Sequence, residues 1–168
     1  MQRFANNKSL LSGSELHYDA EYWNNLMNMD KLNCYDYAFG NANQHQTEFS
    51  QPLDIPPTDS LYTCPNVEAG MMAENPNTKK TTFEEQCAPG ERKIALMVDP
   101  IHPSDYHYMR QDADGVWSHK PGYLQVRRVD ASGQVIFAPH LSDRKYPDFN
   151  YTNMCGYYCI PGSVNSAR

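Results

Sequence analysis

Two tetrapeptides, Asp112-Ala113-Asp114-Gly115 and Asp130-Ala131-Ser132-Gly133, share the pattern Asp-x-x-Gly between runs of β-type residues. An Asp that hydrogen-bonds the backbone ahead of it, followed by a Gly free to adopt positive φ, specifies a type I turn closed by a left-handed residue. That is the three-residue hairpin loop. It commits the chain after residue 90 to antiparallel β structure. The segments 93–100 (KIALMVDP), 104–111, 115–122, 125–130, 134–139 and 155–161 read as its strands, with the apolar run 93–100 as the central one.

The first turn also fixes a register. With Gly115 in the left-handed position, Asp112 pairs with Val116 and Met109 falls opposite His119. His107 then lies on the same face as His119, one diagonal step away and within side-chain reach. A slip of one residue would separate them.

Ahead of the β region the signals are helical. Asp19 is an N-cap type before Ala20, Trp23 and Met27, which line one side of a helix. Asn33 caps a second helix that has Asp36 in its first turn, Tyr37, Ala38 and Phe39 as contacts, and Gly40 at its end. Residues 41–90 hold six prolines and little periodicity. They read as a long irregular insertion or lid, with short helices near 66–74 and 81–86, because they lack the apolar set for a core of their own. The expectation is one α+β domain over 1–168, with N-terminal helices packed on a C-terminal antiparallel sheet.

The 168 residues carry a formal charge of −6 and no basic run, which argues against a nucleic-acid partner. Arg127-Arg128 reads as a solvated strand face. No stretch approaches the roughly 18 apolar residues of a membrane helix, so no membrane span is expected. The polar start, MQRFANNKSLLSGSEL, does not read as a signal peptide. The expectation is a protein that is cytoplasmic when made and exported, if at all, without a signal.

Five cysteines leave at least one thiol free in a monomer. Cys155 and Cys159 are four strand steps apart, about 13 Å, too far to bridge one another. They read as core residues facing one side, while the state of Cys64 and Cys87 is open. The histidine pair would need third and fourth ligands to hold a metal, and no HxH or HxxxH cluster supplies them, so no metal is expected. The pair suits either a structural contact or a relay, in which one imidazole takes a proton from a thiol and the other orients it. The thiol that fits is Cys34, at the start of the helix capped by Asn33, where backbone N–H groups favour a thiolate.

Cys34 in NCYDYA, His107 in DYHYMRQ and His119 in GVWSHKPG together resemble the papain-like cysteine peptidases, closest to the NlpC-type cell-wall peptidases and amidases. In that family the nucleophilic Cys opens a helix, the base stands on a following strand, and a third polar residue comes from the strand after it. Tyr35 stands where the family has a small residue after the nucleophile, and Asp105-Tyr106 replaces its Gly-His. The resemblance implies amide hydrolysis by a Cys34–His107–His119 triad with no cofactor. Its substrate would be a peptidoglycan stem peptide or a protein, as in a lysin or an exported effector with a cognate immunity or inhibitor protein. Tyr22 would shape the cleft. An alternative makes His119 the base, oriented by Asp105 or Asp114. A second class of function is a non-enzymatic binding module on the same scaffold, suited by its 12 Tyr and 2 Trp. Such a module does not need an ionised Cys34.

Overall fold

The computed structural model describes residues 8–25, 29–41, 52, 62–101 and 104–162. In chain order the elements are α1 (Ala20–Asn24), α2 (Cys34–Phe39), α3 (Cys64–Glu74), β1 (Lys79–Thr81), β2 (Glu91–Asp99), β3 (Asp105–Gln111), β4 (Trp117–Ser118), a 3-10 turn (Pro139–Leu141) and β5 (Asn153–Pro161). Among the described residues the strands form one antiparallel sheet in the order β1-β5-β2-β3-β4. The protein is α+β.

β2 is central, and Ile94 through Val98 are fully buried. Both faces of the sheet are covered, which is why this strand reads as a continuous apolar run rather than an alternating one. On one face Ile94, Leu96, Val98, Tyr106, Tyr108, Tyr158 and Ile160 pack against Cys34, Tyr35 and Ala38 of α2 and Val67 and Met71 of α3. On the other face Ala95, Met97, Met109, Trp117 and Tyr157 meet Phe83, Ile136 and Tyr151 from connecting segments. A third cluster joins Trp23, Leu32, Tyr37 and Val126.

The caps read from the sequence are in place. Asp19 accepts from the Tyr22 N–H, and Asn33 and Asp36 form a reciprocal capping box at α2. Gly40, at φ 69°, ends α2. That helix has no basic residue of its own in its last turn. Two buried strand arginines serve instead: Arg92 donates to the Ala38 carbonyl at 2.7 Å, and Arg110 lies 4.0 Å from the Tyr37 ring centroid and pairs with Asp112. Met27 lies outside the described residues.

Both Asp-x-x-Gly turns form as expected. The Gly115 N–H binds Asp112 O and the Gly133 N–H binds Asp130 O, with φ of 88° and 79° at the two glycines. Arg110 faces Ser118 and Gln111 faces Trp117, the register that the first turn requires.

Several expectations are corrected. Residues 81–86 are not a helix: Phe83 turns into the core, and the buried Lys93 ammonium takes the carbonyls of Phe83 and Glu85 that a helix would have used. Segments 125–130 and 134–139 are not strands. They touch the sheet and each other through single bridges, His119 to Arg127 and Val129 to Val135, and through isolated backbone bonds such as Trp117 N–H to Ile136 O and Ile136 N–H to Arg128 O, and side chains add to these. The buried Asp130 carboxylate accepts the N–H groups of Ser132, Gln134 and Asp143, and Arg144 donates to the carbonyls of Pro139 and Tyr151. Arg128 is not a free solvated charge, because it pairs with Asp112 and Asp114 and lies over the Tyr18 ring. The second half of the expected insertion belongs to the fold, with α3 packed in the core and β1 paired at the sheet edge, while 42–51 and 53–61 lie outside the described residues.

β5 carries a bulge. Leu96 pairs with Gly156 but Met97 pairs with Met154, so Cys155 is the extra residue. The bulge turns Cys155 toward the helix-covered face, while Cys159, next to Tyr158 on a regular stretch, points to the other. The expectation that the two face one side therefore fails.

Candidate functional site

The Asn33–Asp36 box places Cys34 at the first position of α2, over β3. Its thiol lies in the helix-side cluster against Tyr106 and Tyr108, with 7% of the residue exposed. Burial pushes its pKa up to about 12, the Asp105 carboxylate adds to the rise, and the Tyr108 N–H opposes it only in part. Cys34 is a neutral thiol across the physiological range.

The two histidines meet on the opposite face. Along β3, Tyr106 and Tyr108 point to the helices, so His107 between them points away, beside Met97 and Met109. His107 Nε2 lies 2.8 Å from His119 Nδ1, and His119 Nε2 lies 3.0 Å from the Val129 carbonyl oxygen. A carbonyl only accepts, so His119 carries its proton on Nε2 and accepts at Nδ1. His107 must then donate from Nε2, which leaves its own lone pair on Nδ1. Tyr151 stacks on the His107 ring at 5.2 Å and 25°. Burial holds both imidazoles neutral: His107 falls well below 6.5, lowered further by His119, and His119 falls to about 4.

The structure thus brings His107 and His119 together and leaves Cys34 on the other side of the sheet. The β3 side chains that face the thiol are tyrosines. Tyr22 packs edge-on against Trp23 at 5.7 Å, in the cluster with Tyr37 and Val126. Asp105 accepts from the Tyr151 hydroxyl at 2.7 Å, and Asp114 pairs with Arg128 at 2.6 Å, so the group that orients His119 is the Val129 carbonyl rather than either carboxylate. Among the described residues no three His, Cys, Asp or Glu side chains form a group that could hold a metal. No helix among them is long and apolar enough to cross a membrane. His45 and His102 lie outside the described residues.

Over 133 residues the chain is 34% identical to insoluble matrix shell protein 1 of Ruditapes philippinarum, an alignment that covers 79% of this chain and 84% of that one. The chain belongs to the insoluble matrix shell protein 1 family. No family model matches it, and no solved structure does.

What sequence reasoning missed in this member of the shell protein family is its covalent frame. Cys64 of α3 is bridged to Cys155, and Cys87 to Cys159, leaving Cys34 as the free thiol. The odd count had already required one unbridged cysteine. A usable signal for the rest lay in the glycine of Met154-Cys155-Gly156: a Gly inside a strand marks a bulge, and a bulge puts the two β5 cysteines on different faces.

Proposed function

We propose that this protein is a structural component of an insoluble extracellular matrix. The observation that carries the reading is its membership in a family that includes an insoluble matrix shell protein. Two disulfides support it, since such bonds form and persist in oxidising, secretory environments. So does the use of the thiol and the histidines as scaffold: the thiol is buried and neutral, and both histidines are spent on holding a loop segment to the sheet. The test is sequential extraction of the secreted deposit with water, then denaturant, then denaturant with reductant. The expected result is release only in the denaturing or reducing steps, with one alkylatable thiol before reduction. Recovery in an aqueous intracellular fraction with five free thiols would overturn the reading.

A second reading keeps the resemblance to papain-like peptidases, with a thiol hydrolase acting on a peptidoglycan peptide or a protein under the control of an inhibitor protein. The observation on its side is the oriented histidine pair with a lone pair free on His107 Nδ1. It requires Cys34 to ionise and to reach His107 from the opposite face. Iodoacetamide labelling of the folded protein separates the two readings. The matrix reading expects an inert thiol at pH 7. Rapid alkylation that is lost in His107→Ala would favour the hydrolase.

A further inference from the structure

The chain contains two Asn-x-Ser/Thr triplets, Asn7-Lys8-Ser9 and Asn150-Tyr151-Thr152. This triplet is the acceptor for N-linked glycan transfer, and it is used only where the Asn is reachable and the chain passes through the secretory route. The first triplet gives little ground: Asn7 lies outside the described residues and Ser9 donates its hydroxyl to Gln111 at 2.9 Å. The second is built differently.

Asn150 closes a tight loop. The Tyr146 N–H binds the Phe149 carbonyl at 2.8 Å, and Asn150 bridges back to Lys145. The backbone of Asn150 is fully engaged: its N–H donates to Asp99 Oδ2 at 2.8 Å and its carbonyl accepts from the Thr152 N–H at 2.8 Å. The middle residue of the triplet is the anchor. Tyr151 is buried, stacks on His107 and donates to Asp105. Asn150 and Thr152 on either side are exposed. Among the described residues none hydrogen-bonds the Asn150 side-chain amide, and the Thr152 hydroxyl reaches only the neighbouring Asn153 at 3.4 Å. The amide is therefore presented on a fixed backbone with nothing to displace.

One neighbour gives the position a further use. The carboxylate that holds Asn150 also accepts the Ile101 N–H at 3.0 Å, which places Ile101 beside it. Ile101 is 70% exposed, the most exposed of the large apolar side chains among the described residues. A polar, bulky group on Asn150 would shield it from contact with other chains.

We propose that Asn150 is an N-glycosylation site. The co-reactant is a lipid diphosphate-linked oligosaccharide. The Asn150 side-chain nitrogen forms a bond to C1 of the first sugar, and the C1–O bond to the diphosphate breaks. The lipid diphosphate leaves with the electron pair, and one amide proton passes to a base of the transferase. The inference rests on the extracellular reading above, because the transfer takes place in the same compartment that closes the disulfides.

The test uses the full chain behind a secretory leader in insect cells. Intact mass is taken before and after peptide-N-glycosidase, with non-reducing peptide mapping of the same material. Wild type is expected to carry a glycan that the enzyme removes, converting Asn150 to Asp. Thr152→Ala and Asn150→Gln are expected to lose it, and Ser9→Ala to keep it. Secreted wild type with both disulfides closed but Asn150 bare, or with a glycan that disappears in Ser9→Ala and persists in Thr152→Ala, overturns the inference and leaves the extracellular reading standing. Secreted wild type in which Cys64–Cys155 and Cys87–Cys159 fail to close counts against the extracellular reading itself, whatever Asn150 carries.

Discussion

The two faces of the sheet are closed by different means. On one, α2 and α3 lay aliphatic and aromatic side chains over β2, β3 and β5, and backbone polar groups are satisfied inside the helices. On the other, the cover is a run of turns and single bridges from 125 to 151, and side chains add to its scattered backbone bonds: Asp130, Arg144, His119 and, at the near edge, Lys93. The first face depends on apolar area, which is insensitive to pH. The second depends on ionisable groups that must stay in one protonation state while buried. The two faces should therefore fail under different conditions.

The bridges span both faces and give the largest expected effect. Replacing Cys64 and Cys155, or Cys87 and Cys159, with Ala should each cost about 4 kcal/mol, since each bond closes a long loop in the unfolded chain. Urea unfolding read by tryptophan fluorescence measures it, and a loss confined to one pair would mean that the faces unfold separately. Next comes pH. Both histidines have folded pKa values below the ordinary 6.5, His119 at about 4. The unfolded chain thus takes up protons before the folded one does. Their contribution is complete above pH 6.5 and is lost as pH falls from 6.5 toward 4, by a few kcal/mol. Thermal melts across that window should show the slope in wild type and a weaker one in His119→Phe, and a flat wild-type profile would remove the pair from the account. Asp130→Ala removes a buried carboxylate that accepts three backbone N–H groups and should cost roughly 2–3 kcal/mol. Hydrogen exchange would locate the loss in 130–143 and leave α2 and α3 protected. The smallest effect is on the helical face. Cys34→Ala removes one buried sulfur and should cost about 1 kcal/mol with no change in the pH profile.

What could be read from the chain follows the same division. The Asn33–Asp36 box, the Gly40 stop, the two Asp-x-x-Gly turns and the buried run of β2 are local signals, each decided within a few residues, and the structure keeps them. The contact of His107 with His119 was legible because one glycine fixes the register. The face of β3 that meets α2 was not legible: period-2 alternation separates His107 from Tyr106 and Tyr108 but does not say which set faces the helices. The disulfides were hidden because their partners lie 91 and 72 residues apart, and because the extra residue at Cys155 breaks the alternation from which the two cysteines were placed. The cover at 125–151 escaped because side-chain hydrogen bonds can hold an irregular backbone as well as a ladder can, and they leave no periodic trace.

The bulge at Cys155 has a mechanical consequence. By turning one cysteine of β5 to each side, it lets a single strand take a covalent tie from both layers. A chain pulled by its two ends transmits the load from Cys64 directly to Cys155, so the 91 residue steps between them stay out of the load path. At about 3.4 Å per residue that is on the order of 300 Å of contour length that tension alone cannot release. Under load the stretch from Cys64 to Cys155 behaves as a short link of fixed length, and it becomes extensible only when the bond is reduced.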